Sequence, residues 1–496
     1  MNSGTILKEL QQDNINLVST ATGQIPIIQF NFQQVYLMKR RNFLRSSSST
    51  MAGVILVPTI VPSSVFGVNA PSNKINIAQI GFGRIAMGHD LAETLPIEVA
   101  KVIAVADLDS NRVAKGKQFI EDFYAKKSGS PTAVNVKTYG DYRELLLNKE
   151  IDAVIISTPD HWHAQPAIEA TLAGKHVYLQ KPTSLSIAEG RMLSDIVRKK
   201  GNIFQMGTQQ RAMPQFRIAA ELVRNGRIGK LHTVKIGLPG DPSGPEAPEM
   251  PVPKNLNYDM WLGSTPEVYY TEMRVHPQNS MTERPGWLRC EQFGAGMITG
   301  WGQHHFDSAA WGMDTEYTGP VSVNAMATFP KSGLWNVHGN FLAVAEYQNG
   351  ITMLTSGAYP NGIRYEGSEG WIFVSRGDYT ASASDPVAKS KSGNALNASD
   401  PKILTSKIVE NEIHLYKIEN QHQNWLDCIK SGKEPISPVE KGHRACTVCL
   451  LTHISMKLGR KVQWDPETEK FVNDEEANKL LSRSQRFPYG TSNIKL

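Results

Sequence analysis

A β-branched apolar run, INIAQI (75–80), breaks off at Gly81-Phe82-Gly83-Arg84-Ile85-Ala86, and helical spacing resumes behind it. Strand, two-glycine turn and helix in immediate succession leave a chain few ways to fold. The two glycines let backbone N–H groups come close to a pyrophosphate at a helix N-terminus, and Ala86 lets the helix pack tightly on the strand. The stretch therefore predicts a dinucleotide-binding turn, with Gly81, Phe82, Gly83, Arg84, Ile85 and Ala86 as its contact residues. The next apolar run, AKVIAVADLD, ends at Asp107. A carboxylate at that strand end accepts hydrogen bonds from an adenosine ribose and repels a 2′-phosphate, so NAD is expected in preference to NADP. Asn111 and Arg112, opening the following helix, are the residues that could instead favour the phosphate. Asp109 is expected to cap that helix.

The alternation continues with a helix around 112–124, the run IDAVIISTP, the helical PAIEATLAG and the run HVYLQKP. This is the pattern of a parallel, doubly wound sheet over residues 73–200. STPDHWH (157–163) and GKHVYLQKP (174–182) each close a predicted strand at its carboxyl end, where open parallel sheets bind ligands. Thr158, Pro159 and His163 are expected along the cofactor, and Lys181 beside its nicotinamide. Beyond Gly201 the runs alternate in the manner of antiparallel strands. In FLAVAEYQNGITMLTSG, Asn349-Gly350 marks a hairpin turn. Residues 240–290 are rich in Pro, Gly and aromatics and read as an ordered loop region; 377–400 are small and polar and read as a surface loop.

The N-terminal stretch has a different character. KRRNFLRSSSST (39–50) leads into an apolar run from Ala52 to Val61, followed by Val65-Phe66-Gly67. At about ten residues the run is half a bilayer span, so it predicts a twin-arginine-type signal cleaved near Gly67 rather than a membrane anchor. Residues 1–37 precede Met38 and are expected to come from an upstream start codon. An exported, periplasmic protein is therefore expected, with a cytoplasmic one as the alternative. The net charge of +5 is concentrated here, five basic residues against two acidic ones falling within 1–67. The remainder carries no basic block, which argues against nucleic acid as a partner. Of the four cysteines, Cys446 and Cys449 form a C-x-x-C inside a helical apolar pattern, with no second pair to complete a zinc site. They are read as a packed helix face, and no metal is expected.

Together with MGTQQR (206–211), ELVRNGRIGKLHTVKI (221–236), NYDMWLG (257–263), GAGMITGWGQHHFDSAAWGM (294–313), RYEGSEGWIFVSRG (364–377) and NWLDCIKSGKEPISPVEKGHR (424–444), these stretches resemble the Gfo/Idh/MocA family of oxidoreductases. The resemblance implies an α/β protein with an N-terminal Rossmann domain, a parallel doubly wound sheet, at 68–200. A C-terminal α/β domain with a large, mainly antiparallel open sheet follows at 201–496, and homo-oligomers are expected to form through that sheet. It also implies that the lysine of a Glu-Lys-Pro motif and a later Asp-x-x-x-His pair act on a substrate hydroxyl. Lys181 and His304 match, whereas Gln180 replaces the glutamate and Gly300 stands in place of the aspartate. Asp307 is then the carboxylate expected to orient His304 or another polar group.

Oxidising a carbinol needs a group of near-neutral pKa to take the hydroxyl proton and another to stabilise the alkoxide, roles that His304 and Lys181 fit. Gln209, Arg211, Trp301 and His305 are expected to contact substrate along with them, and Trp162 is a further candidate; His161 and His163 are candidates for structural or cofactor-edge roles. The expected activity is oxidation at a hydroxyl of a carbohydrate or cyclitol by an exported protein with tightly bound NAD. Two alternatives remain: a redox-neutral glycosidase or lyase working by transient C3 oxidation, and a non-catalytic sugar-binding protein, which Gly300 keeps open.

Overall fold

A computed structural model describes residues 73–130, 134–377 and 395–496. The expected signal and upstream extension lie outside the described residues, as does 378–394 of the small, polar loop. Six strands form a parallel sheet: β1 (Ile75–Ile80), β2 (Ala100–Ala106), β3 (Lys137–Tyr139), β4 (Ala153–Ile156), β5 (His176–Gln180) and β6 (Phe204–Gly207). Their order is β3-β2-β1-β4-β5-β6. The chain winds outward from β1 to one side and then from β4 to the other, so the loops after β1 and β4 diverge and leave a crevice at their carboxyl ends. Nearly every residue of β1, β4 and β5 is buried, as expected for strands covered on both faces by helices.

The second sheet has nine strands: β7 (Leu231–Gly237), β8 (Ser322–Ala327), β9 (Phe341–Glu346), β10 (Thr352–Ser356), β11 (Gly362–Gly367), β12 (Gly370–Val374), β13 (Leu396–Ala398), β14 (Val462–Asp465) and β15 (Lys470–Phe471). Only the β7–β10 pair is parallel. Asn349-Gly350 makes the predicted turn between β9 and β10, with Gly350 at φ +83°. Helices Gly302–Met313 and Val439–Leu458 cover one face, and their apolar residues share a core with Val323, Ala343, Met353 and Tyr365. Cys446 and Cys449 are fully buried free thiols in that core, which is the helix-face reading of the C-x-x-C. The opposite face leaves Met326 and Leu342, partners across β8 and β9, 66% and 45% exposed. No helix among the described residues is long and apolar enough to cross a membrane.

Candidate active site

The crevice at the switch between β1 and β4 is a cavity lined by Gly81, Gly83, Arg84, Ile85, Asp107, Arg112, Thr158, Pro159, His163 and Lys181, among others. Gly81 sits at φ +82°, and a Cβ there would lie 2.9 Å from the Ser157 carbonyl oxygen, so the loops after β1 and β4 approach as closely as they do only because this residue is glycine. The Phe82 N–H donates to Asp107 Oδ2 (2.7 Å) and the Asp109 N–H to Oδ1 (3.0 Å), which aims the Asp107 carboxylate into the crevice beside the glycine loop. Each oxygen keeps a second lone pair for a ligand. Enclosure raises the Asp107 pKa, and Arg112 works against that rise. The ring of Phe82 turns away into the core against Phe119, leaving its backbone to the crevice, and Ala86 is fully buried under the helix it opens. Asp109 caps helix Ser110–Ser128 through the Asn111 and Arg112 N–H groups and also bonds His276 and Asn255. This arrangement of glycine loop, helix start and strand-end carboxylate fits a dinucleotide.

Lys181 and Asp160 line the same crevice, Asp160 as the first residue of a 3₁₀ turn after β4 that is only 3% exposed. Burial pushes the Asp160 carboxyl upward, and the charge of Lys181 opposes it. Enclosure likewise lowers the Lys181 ammonium, Asp160 holding it up while Arg284, Arg84 and Arg376 push it further down. Thr299 Oγ1 lies 3.5 Å from Asp160 Oδ2. His163 lies between the carbonyls of Thr158 and Pro182, and with its pKa lowered to about 4 by burial its single N–H donates to one of the two. Trp162 donates to the Met260 carbonyl and packs against Tyr142 and Tyr489. His161 bonds the Trp261 carbonyl.

Other expected residues have different tasks. Asp307 does not orient His304: both its oxygens are taken by Arg211, Nε to Oδ2 at 2.7 Å and Nη2 to Oδ1 at 2.8 Å, with both side chains 1% exposed. Arg211 also binds Glu316 at 2.7 Å and stacks over Trp311, so its guanidinium is committed to the protein interior rather than to a substrate. His304 is buried, its Nδ1 has no hydrogen-bond partner, and burial with Arg376, Lys181, His305 and His89 nearby drives its pKa well below the usual value. His305 is held by Asn361 (2.7 Å) and faces Gln210. Trp301 lies in the core with Arg376 over its ring, 4.6 Å from the centroid, and Gln209 is half-buried at the start of a 3₁₀ turn. A Cβ at Gly300 would point at Leu288 and Met297, an apolar setting in which a carboxylate would be poorly solvated.

Asp160 was within a motif visible in the sequence, but nothing local distinguished it from a turn residue. Its significance comes from Thr299 and from Arg284, which reaches the crevice out of the 240–290 loop region.

Two sequence models match the chain: "Oxidoreductase family, NAD-binding Rossmann fold" over 75–208 and "Oxidoreductase family, C-terminal alpha/beta domain" over 243–382 and 363–491. The myo-inositol 2-dehydrogenase of Thermotoga maritima is 30% identical over 189 residues, 38% of this chain and 52% of that protein. The alpha-N-acetylgalactosaminidase of Shewanella oneidensis is 28% identical over 207 residues, 39% and 44% of the two chains. The chain spans about half the length of the curated relatives it matches. Among solved structures, aldose-aldose oxidoreductase from Caulobacter crescentus, complexed with glycerol, superposes with a TM-score of 0.53 at 20% identity, covering 79% of this chain and 99% of that one, a likeness of fold.

Proposed function

Because the chain belongs to the Gfo/Idh/MocA family of oxidoreductases, we propose that it uses NAD to oxidise a CH–OH group of a carbohydrate or cyclitol. The observation that carries this reading is that Lys181 and buried Asp160, whose charges act on each other, line the same crevice as the glycine loop and Asp107. Bound NAD supplies the acceptor for the carbinol hydride. Gly81 and Gly83 admit the pyrophosphate, and Asp107 holds the adenosine ribose. Lys181, as the neutral amine, takes the hydroxyl proton, and Asp160 beside it sets how readily that proton is held.

A mass spectrum of the protein denatured after native purification tests the cofactor, and absorbance of the nicotinamide on mixing with a panel of sugars and cyclitols tests the reaction. Released NAD and its reduction by a panel member are expected. Absence of both would overturn the reading.

A second reading, a redox-neutral glycosidase or lyase, is favoured by the likeness to the alpha-N-acetylgalactosaminidase. It predicts free reducing sugar without accumulation of reduced cofactor, where the first predicts a lasting keto-sugar or lactone. The twin-arginine pattern supports export of a folded protein already holding its NAD, which suits a cycle that returns the cofactor to its starting state. The exposed Met326–Leu342 face of the second sheet supports a homo-oligomer.

The same geometry gives an expected cofactor preference. A carboxylate bonding both ribose hydroxyls and repelling a 2′-phosphate favours NAD by at least about a hundredfold, ~2.7 kcal/mol. Asp107→Ala is expected to erase most of that difference in titrations of the apoprotein. Equal binding of NADP by the unaltered protein would show that Arg112, whose charge acts on Asp107 in the same crevice, governs the choice instead.

A further inference from the structure

Behind the reacting end of the crevice lies a carboxylate that the reaction as described does not use. Asp90 is fully buried at the end of the π-helical turn Ala86–Asp90. Its Oδ2 accepts from Ser157 Oγ at 2.6 Å, and its Oδ1 from Gln180 Nε2 at 2.7 Å. His89 Nδ1 lies 3.0 Å from Oδ1 and His422 Nε2 3.5 Å from it. Gln79 joins the network through Ser157 Oγ (3.0 Å) and the Gly81 carbonyl (2.9 Å). Burial opposes the Asp90 charge, but the contacts from His422 and His89 outweigh it and hold the carboxyl well below the ordinary range. A buried charge this fully partnered is a fixed feature of the site.

Its position is informative. Ser157 and Gln180 both line the crevice, so on either side one residue separates the Asp90 carboxylate from it. Gln180 immediately precedes Lys181, at the position where the family resemblance places a glutamate. The negative charge missing from residue 180 is thus present on the side chain that residue 180 bonds.

We propose that Asp90 is the relocated negative charge of the reacting end, and that it biases the crevice toward the oxidised, positively charged form of nicotinamide over the neutral reduced form. This rests on the reading of the protein as an NAD oxidoreductase. His89 modulates the bias. Burial lowers its pKa, but the Asp90 hydrogen bond and charge outweigh that effect, and the net shift is upward. The groups facing it are Asp90 and Glu93 on its own helical segment, His422 from helix Gln421–Ser431, Arg376 beyond β12, and His304 on helix Gly302–Met313. Protonated His89 offsets Asp90; as pH rises through the His89 pKa the carboxylate is uncovered, and the preference for the oxidised form grows.

The test is titration of dinucleotide-free protein with NAD⁺ and with NADH, which needs no substrate. Asn at 90 can still accept from Gln180 and donate to Ser157 Oγ, so Asp90→Asn keeps the neighbouring contacts while removing the charge. The ratio of NAD⁺ to NADH affinity is expected to fall on the order of tenfold in Asp90→Asn and to lose its rise with pH. Adding Gln180→Glu to Asp90→Asn puts the charge back one side chain away and is expected to restore the ratio. A purely structural network would change thermal stability and leave the ratio alone. A ratio within about threefold of the unaltered protein's in Asp90→Asn, or no recovery in the double variant, overturns the proposal. If the unaltered protein binds neither nucleotide, the NAD reading itself falls and this inference with it.

Discussion

Lys181→Met is expected to slow reduction of the bound cofactor by at least about a thousandfold, within the range that a positioned acid or base contributes, while NAD remains bound. Methionine keeps the length of the stem and loses only the amine, and the glycine loop and Asp107 that would hold the dinucleotide are left unchanged. The pH dependence follows from the charges around the amine. Enclosure, Arg284, Arg84 and Arg376 all disfavour the ammonium form, so Lys181 loses its proton at lower pH than an ordinary lysine, and the rate climbs with pH as the neutral amine accumulates. Asp160 is the group that holds the proton on. In Asp160→Asn that restraint is gone, the lysine pKa drops further, and the rising limb of the single-turnover rate moves to lower pH. A limb that stays in place, with the variant folded and NAD bound, would remove Asp160 from the proton-transfer machinery. A Lys181→Met protein that still reduces its cofactor within about tenfold of the parent rate would remove Lys181 itself.

Arg211→Met should unfold about 3–5 kcal/mol more easily than the parent in chemical denaturation, the cost of breaking a buried ion pair from one side. Asp307 would be left at 1% exposure with both oxygens stripped of their guanidinium partner. Glu316 would keep only Lys441, at 3.0 Å. The double variant Arg211→Met/Asp307→Leu is expected to recover a large part of the loss, because the buried charge disappears with its partner. The result separates two roles for Arg211. A substrate-contacting arginine would leave stability nearly unchanged on substitution and raise KM; that outcome would place Arg211 against the substrate.

The glycine turn, the Asp107 strand end, the Asp109 cap and the Asn349-Gly350 hairpin were legible because each demand is met by consecutive residues: a positive φ, a helix start, a two-residue reversal. Alternating β-branched runs and helical runs likewise fix a parallel sheet without reference to distant chain, since the helices must cover both its faces.

Charge at the reacting end was decided otherwise. Asp307 stands three residues after His304 and invited pairing with it, yet its carboxylate is claimed by Arg211, 96 residues away in the chain. Gln180 looked like a lost acid until packing brought Asp90 against it, 90 positions earlier. His304 matched the histidine of the family pattern, and burial together with Arg376 and Lys181 pushes its pKa well below the usual imidazole value. Sequence by itself determined the cofactor cleft, because backbone conformation and hydrophobic periodicity are local. Only the tertiary structure decided which acids and bases become neighbours, since a side chain's charge depends on its desolvation and on groups that folding alone brings within a few ångströms.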